Sequence, residues 1–281
     1  MVVMTLMLGC EKVQLPDNDT DEGEGNGNLR INVSQIDQTP FASLTRATEA
    51  ASAVCTRLNF AIYDEGGSRL KQINQTSDKA NFGQCAFDIE PGDYQLVIVG
   101  HSAGGNPTMT NLSKIQFTNA TGYTDTFIYY GKVSVGEAPE ELEVSLKRIV
   151  SLCRFVINDD IPTEVKKLRF YYTGGSGAFN AVTGQGSVNS KQTVTFDVTS
   201  GQKQFDLYTF LHGNDDNIAL KVTALDASGN EIRVRDFDVP MQQNHITWLS
   251  GDFFNGSGSS STPILRVTVN TTWAGETHLT F

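Results

Sequence analysis

The part of the chain closest to a catalytic pattern is residues 100–104, Gly-His-Ser-Ala-Gly, which match the nucleophile elbow of serine hydrolases around Ser102. Such an elbow needs a helix directly after the serine, because backbone N–H groups must stabilise the oxyanion. The residues that follow, Gly-Asn-Pro, disfavour a helix. Asp206 or Asp236, followed by His245, could complete a triad, but no alternation of strands and helices accompanies them. The pattern predicts a glycine-rich loop, and we expect no catalytic residues and no enzyme activity.

Groups that could bind a metal or a phosphate have unsuitable spacing. Residues 212–217, His-Gly-Asn-Asp-Asp-Asn, offer oxygen ligands but lack the alternating positions and terminal glutamate of a calcium loop. Gly23, Gly25 and Gly27 lie among carboxylates that would repel a phosphate. We therefore expect no metal and no cofactor.

The first residues indicate a modification. An apolar run over residues 2–8 is followed by Gly9 and Cys10, as in a bacterial lipoprotein signal, in which the cysteine receives the lipid. The run is shorter than the roughly 20 residues of a membrane-spanning helix. We expect residues 1–9 to be the remnant of a signal peptide and Cys10 to be lipidated, which would tether the protein to a membrane. A buried N-terminal strand is the alternative.

Charge excludes one class of partner. The chain has 32 acidic and 21 basic residues, a net charge of −11, and no cluster of Lys or Arg. Binding of nucleic acid needs a basic surface. We therefore expect no nucleic-acid partner.

Three cysteines remain after Cys10, so at most one internal disulfide can form. Strand alternation would turn Cys55 outward and Cys85 inward, which argues against pairing these two. For Cys85 and Cys153 the expected role is that of a small buried apolar residue.

Alternation of apolar residues recurs along the chain after residues 10–28, an acidic, glycine-rich segment predicted to be a flexible tether. A period of two predicts half-buried strands. It is found at residues 29–33, 54–62, 85–89, 94–98, 142–146, 148–158, 165–173, 193–198, 205–211, 218–225, 232–239, 246–254 and 264–269. The one helical window, residues 43–54, could equally be a loop. The sequence therefore predicts an all-β fold.

The length of 281 residues favours two domains. Residues 137–140 interrupt the alternation, and the strand that follows leads directly into the next one near Lys147. We expect an N-terminal β-sandwich over residues 29–147 and a C-terminal β-sandwich over residues 148–281.

Each end of the chain carries a strand on a flexible connection. The first has its apolar residues at Leu29, Ile31 and Val33, and the second includes Ile264, Val267 and Val269. A strand connected in this way can complete its own domain or add to the open sheet edge of a neighbour. The sequence alone leaves both alternatives open.

Several motifs, in this order, resemble one known family. They are Cys10 after its apolar run, Leu-Lys-Arg-Ile-Val at residues 146–150, Asn-Asp-Asp-Ile-Pro at 158–162, Phe-Tyr-Tyr-Thr-Gly-Gly at 170–175 and Trp-Ala-Gly at 273–275. With these the chain resembles the fimbrillin-related family of outer-membrane lipoprotein pilus subunits and fimbrial anchors. The resemblance implies two tandem transthyretin-like Greek-key β-sandwich domains.

The resemblance also implies a function. Pilus subunits of that family are cut after an arginine, lose their first strand and accept a strand of the next subunit, whereas anchors stay uncut. Arg46 and Ala47 lie where such a cut would fall. The expected partners are other fimbrial subunits, the outer membrane through the lipid, and an adhesion ligand on a host or bacterial surface. The alternative is a surface glycan-binding lipoprotein, although the chain has only two tryptophans, Trp248 and Trp273, for an aromatic platform.

Overall fold

The computed structural model describes residues 27–37, 48–49, 51–255, 266–268 and 275–281. Within them it contains twenty strands and one short helix, α1 (Ala51–Val54), so the all-β prediction is confirmed. The strands are β1 (Leu29–Asp37), β2 (Thr48–Glu49), β3 (Arg57–Tyr63), β4 (Arg69–Thr76), β5 (Gln84–Phe87), β6 (Gly92–His101), β7 (Thr108–Asn111), β8 (Lys114–Gln116), β9 (Thr126–Val135), β10 (Glu140–Arg148), β11 (Ser151–Ile157), β12 (Lys167–Thr173), β13 (Ala178–Phe179), β14 (Gln192–Asp197), β15 (Gln204–Thr209), β16 (Asp215–Leu225), β17 (Glu231–Gln242), β18 (His245–Gly251), β19 (Arg266–Thr268) and β20 (Gly275–Thr280). No helix of the described part is long and apolar enough to cross a membrane.

The first half of the chain forms an eight-stranded sheet in the order β2-β1-β10-β9-β6-β3-β4, with β5 also paired to β1. Alternate residues of these strands point to one side and bury their apolar side chains in a single core. The sheet therefore curls around this core almost like a barrel. The sheet closes where β4 meets β5. There the side-chain amide of Gln75 on β4 donates to the carbonyl of Gln84 (2.6 Å) and accepts from the N–H of Gly83 (3.0 Å).

The second half of the chain consists of two facing sheets. A five-stranded sheet, β15-β11-β18-β20-β19, packs on a four-stranded sheet, β14-β12-β16-β17. The core between them is rich in phenylalanine. The largest fully buried rings of this core belong to Tyr172, Phe155, Phe170, Phe205 and Phe253.

A third apolar core joins the two halves. It combines residues of β3, β6 and β9, such as Tyr63 and Val99, with residues of the second half, such as Leu152, Phe179 and Ile246. A small sheet, β13-β8-β7, also crosses between the halves because β13 pairs with β8. The two halves are therefore packed together through buried side chains.

One sequence prediction needs correction. Cys55 is 2% exposed and lies in the same core as Cys85, because β3 begins only at Arg57 and strand alternation does not extend back to Cys55. The three described cysteines are free. For residues 43–54 the sequence left a helix and a loop open, and the described part of this segment contains β2 and the four residues of α1.

Candidate functional site

The predicted strand-exchange residues of the first strand are all on β1 and all buried. Leu29, Ile31 and Val33 are 0%, 2% and 6% exposed, and they face the core of the eight-stranded sheet. Their alternation with exposed or half-buried neighbours is what a strand with one buried face requires. Ile36, which the sequence argument did not include, is also buried at 0% exposure.

The other predicted site residues are described only in part. Cys10, Arg46, Ala47, Ile264 and Val269 lie outside the described residues. Val267 lies on β19, at the end of the five-stranded sheet, where β19 pairs antiparallel with β20.

Although β1 is the first strand of the described chain, it is an interior strand of its sheet. It runs parallel to β10 from Leu29 to Asp37. On its other side it pairs antiparallel with β5 over Leu29–Asn32 and with β2 over Ile36–Asp37. β1 therefore fills a groove with a backbone edge on each side.

A β-bulge interrupts β1 between Val33 and Gln35. Ser34 has no paired residue in the β1–β10 register, but its hydroxyl donates a hydrogen bond to the carbonyl of Val144 on β10 (3.3 Å). The extra residue shifts the buried face, so that Ile36 rather than Gln35 points into the core.

Strand β10 depends on β1 for most of its backbone pairing. Only its last two residues, Lys147 and Arg148, pair with β9, whereas the rest pairs with β1. At this corner the guanidinium of Arg148 donates two hydrogen bonds to Asp125 (2.8 and 2.7 Å) and lies over the ring of Phe127. At this corner β10 is therefore attached to β9 and to Asp125.

The start of β1 is clamped by two residues. The side-chain amide of Asn28 donates to the carbonyl of Ile89 (2.7 Å) and accepts from the N–H of Ile89 (3.0 Å). Glu140 N–H donates to the carbonyl of Asn28 (2.8 Å). A side chain at Gly27 would lie 2.2 Å from the carbonyl oxygen of Phe87, so only glycine permits this close approach.

A cavity of about 720 Å³ opens on the outer face of this strand group. Its lining includes two cations, Arg30 and Lys79, and two carboxylates, Glu141 and Glu143. The described residues contain no group of three or more potential metal ligands. The balanced charges do not select an ionic ligand.

The Gly-His-Ser-Ala-Gly motif does not form a nucleophile elbow. It lies at the end of β6, between antiparallel neighbours, and a loop follows it instead of a helix. The hydroxyl of Ser102 accepts the N–H of Thr56 (3.2 Å). The buried ring of His101 instead donates from Nε2 to Asn59 Oδ1 (2.7 Å) and accepts the N–H of Ala103 at Nδ1 (3.1 Å).

The other members of the predicted triad have structural partners. Asp206 accepts two hydrogen bonds from Arg154, each 2.8 Å long, and Asp236 pairs with Lys221 at 3.8 Å. Nδ1 of His245 contacts the carbonyl of Gln243 (2.8 Å). These contacts account for the positions of the three side chains.

Trp248 does not offer an aromatic platform. The guanidinium of Arg154, on the neighbouring strand β11, lies 4.9 Å from the ring centroid of Trp248. On the other side of β18, the ring of His278 on β20 stacks on Trp248 with 5.3 Å between the ring centroids. Its indole N–H donates to Glu276 (3.0 Å). Stacking of a sugar needs a free ring face, and both faces of Trp248 already have neighbours. Trp273 lies outside the described residues.

The described residues thus define an all-β protein in which a groove between β10 and β5 holds the first strand. The chain belongs to a family of unknown function, DUF6562, whose model matches residues 20–280. A search of curated proteins found no match.

Several solved structures are distantly similar to the chain. A candidate cell adhesion protein from Bacteroides ovatus ATCC 8483 is 12% identical, with 82% of this chain and 94% of that chain covered and a TM-score of 0.49. The fimbrial anchor protein Mfa2 from Porphyromonas gingivalis is 13% identical, with 74% and 81% covered and a TM-score of 0.44. A fimbrial assembly protein from Parabacteroides distasonis ATCC 8503 is 14% identical, with 83% and 92% covered and a TM-score of 0.40.

Proposed function

We propose that this protein is a fimbrial subunit or fimbrial anchor of the fimbrillin-related type, which assembles with other subunits by β-strand exchange and serves cell adhesion. On this proposal Cys10 carries the lipid that holds the protein at the outer membrane. Residues 29–147 and 148–281 are then two transthyretin-like Greek-key β-sandwich domains. The partner of the first domain is a strand of another subunit.

The observation that carries the proposal is the place of β1 in its sheet. It is bounded by backbone edges on both sides, yet it is the first strand of the described chain. A single backbone cut after β1 would therefore leave it held by noncovalent contacts alone. A strand from another chain could replace it through main-chain hydrogen bonds and alternate side-chain pockets.

The energetics argue that the groove cannot stay empty. Burial of a Leu, Ile or Val side chain contributes about 1.5–3 kcal/mol. The four buried side chains of β1 therefore contribute about 6–12 kcal/mol, close to the total stability of about 5–15 kcal/mol that is typical of a protein. Loss of β1 must then be coupled to its replacement, which makes the resulting attachment long-lived.

The order of elements along the chain suits a cut at Arg46. β1 ends at Asp37, and β2 begins at Thr48, so a cut between Arg46 and Ala47 separates β1 from β2. β2 would stay with the rest of the protein as one rim of the groove. An uncut protein would keep β1 in place and would act as an anchor.

The N-terminal residue of the protein isolated from its own cells tests this proposal. An N-terminus at Ala47, with polymers that resist mild detergent, identifies a cut subunit. An acylated Cys10 with fimbrial subunits in the same complex identifies an anchor. A monomer that carries neither lipid nor a bound subunit would overturn the proposal.

Two variants show whether the cut matters for assembly. Arg46→Ala should abolish both the new N-terminus and the polymers of a cut subunit. Arg169→Ala is the matched control, because Arg169 is half-exposed and, among the described residues, its side chain forms an ion pair with Glu231 on the surface of the second half (2.9 Å). It should leave both unchanged.

A further inference from the structure

The two rims of the groove that holds β1 follow different patterns. On β10 the residues opposite the buried side chains of β1 repeat at every second position. On β1 the buried positions are Leu29, Ile31, Val33 and Ile36, at offsets of 0, 2, 4 and 7 residues. The last step is one residue longer than in a regular strand because Ser34 is left unpaired in the bulge.

The bulge lies where the opposite rim changes from one strand to another. β5 covers β1 as far as Asn32, and β2 begins at Ile36. Between them, Val33 N–H donates to the carbonyl of Gly83 (2.8 Å), and the Ser34 hydroxyl satisfies the carbonyl of Val144 on β10. A bulge bends a strand and increases its twist. β1 can therefore leave β5 and reach β2 while it stays paired with β10.

We propose that this groove selects its partner strand by the interrupted pattern. The favoured occupant is an extended segment of another chain with apolar residues at offsets 0, 2, 4 and 7 and a small hydroxyl residue at offset 5. A regularly alternating segment, with apolar residues at 0, 2, 4 and 6, is disfavoured because it cannot meet β10, β5 and β2 together. This inference rests on the proposed function and specifies its partner.

The C-terminal segment of the chain itself meets this pattern in part. If the segment is aligned in the same chain direction as β1, offsets 0, 2, 4 and 7 fall on Leu265, Val267, Val269 and Thr272. Three of them are apolar, and the fourth places a threonine where the groove holds Ile36. Offset 5 falls on Asn270 instead of a small hydroxyl residue. A second copy of this chain is therefore a weaker donor than a strand with an apolar residue at the fourth position.

Exchange in the full chain tests the pattern. A specific protease site is placed within residues 40–45, the folded protein is cut there, and labelled peptides compete with β1. A peptide of residues 27–37 should bind at least tenfold more tightly than the same peptide without Ser34, because the shortened peptide has the regular pattern. Equal affinity of the two peptides would overturn the proposal.

The C-terminal segment provides a second comparison in the same assay. A peptide of residues 263–273 should bind more weakly than the β1 peptide and more tightly than a scrambled control. Thr272→Ile in this peptide should improve its binding at least threefold. No improvement would contradict the fourth position of the pattern.

The intact chain separates failure of the pattern from failure of strand exchange. Removal of Ser34 should speed thiol labelling of Cys85, which is opposite Ile31 in the groove, at least tenfold. Ser34→Ala keeps the residue count and should change it less than threefold. If both variants behave alike, the pattern is wrong. If removal of Ser34 has the expected effect but no peptide exchanges with cut β1, then strand exchange is wrong and this groove has no partner strand.

Discussion

The cores of the two halves are built in different ways. The first is mostly aliphatic, contains Cys55 and Cys85, and depends on β1 as an interior strand. The second is a dense array of aromatic rings between two sheets, in which Phe155 contacts four other phenylalanine rings. Aliphatic side chains at alternate positions can be supplied by any strand of the right pattern, whereas interlocked rings need their own neighbours. If the proposed strand exchange occurs, the first half is therefore the one suited to it.

The largest effect is expected in the aromatic core. Phe155→Ala should lower the free energy of unfolding by about 3–5 kcal/mol, because it removes contacts with rings such as Phe170 (5.4 Å) and Phe281 (5.1 Å). Urea unfolding measures the loss. Phe155→Leu is the control and should cost clearly less. A loss below about 1 kcal/mol would contradict the contrast between the cores.

The next effect concerns β1. Leu29→Ala should lower stability by about 2–5 kcal/mol, because the side chain is fully buried. Burial raises the pKa of the Cys55 thiol to about 12 and that of Cys153 likewise to about 12, so native protein should label slowly. Cys85 lies on β5 beside β1, whereas Cys153 lies in the core of the second half. In Leu29→Ala, Cys85 should therefore react with a thiol label before Cys153.

The matched control for this variant is Arg30→Ala. Arg30 is the next residue on the strand, and its ion pair with Glu141 (3.5 Å) is largely exposed to solvent. Removal should cost less than about 1 kcal/mol. Equal losses of stability in Leu29→Ala and Arg30→Ala would mean that burial of the β1 side chains does not hold β1 in its groove.

The third effect depends on pH and belongs to the first half. Burial, with a smaller contribution from Arg57, lowers the pKa of His101 to about 3. Its ordinary value is about 6.5, so the unfolded chain takes up a proton first as the pH falls. Stability is therefore full above about pH 6.5 and falls towards pH 3, by up to about 1.4 kcal/mol per pH unit.

His101→Gln should remove this part of the pH dependence, measured as unfolding midpoints between pH 7 and pH 4.5. Glutamine can still donate to Asn59 and accept from Ala103. His245→Gln is the control, since the ring of His245 is only partly buried. If the pH dependence of stability is the same in His101→Gln as in the unsubstituted protein, protonation of His101 on unfolding is not its cause.

The smallest effect concerns the contact between the halves. The side chain of Asn119 accepts the N–H of Thr193 on β14 (3.0 Å) and donates to the carbonyl of Lys191 (3.4 Å). Asn119→Ala should cost about 1 kcal/mol. Asn119→Asp keeps the acceptor and should cost less. Hydrogen exchange at Thr193 reports the change, and an unaltered rate in Asn119→Ala would contradict it.

Strands with clear apolar alternation could be predicted from the sequence, and β1, β12, β14 and β16 lie within a few residues of their predicted positions. β4 could not, because its buried residues include Gln72 and Gln75. The buried side chain of Gln75 forms hydrogen bonds with the backbone at Gly83 and Gln84, and no local sequence pattern predicts these bonds. β20 has the same difficulty, since its buried residues are Glu276 and Leu279.

The candidate site was also predictable only in part. Leu29, Ile31 and Val33 follow from alternation, but Ile36 was left out because the bulge at Ser34 changes the period. The opposite error occurred at Cys55, where alternation was extended beyond the start of β3. Periodicity predicts burial only while the backbone remains a regular strand.

The sequence by itself determined that the chain is built of strands and, where the alternation is regular, which side chains face a core, because these properties follow from alternation along a local segment. Only the tertiary structure decided which strands are neighbours. Backbone hydrogen-bonding groups are the same in every strand, so local sequence does not specify that β1 lies between β10 and β5 or that residues 100–104 end an antiparallel strand. Those placements come from packing between residues far apart in the chain.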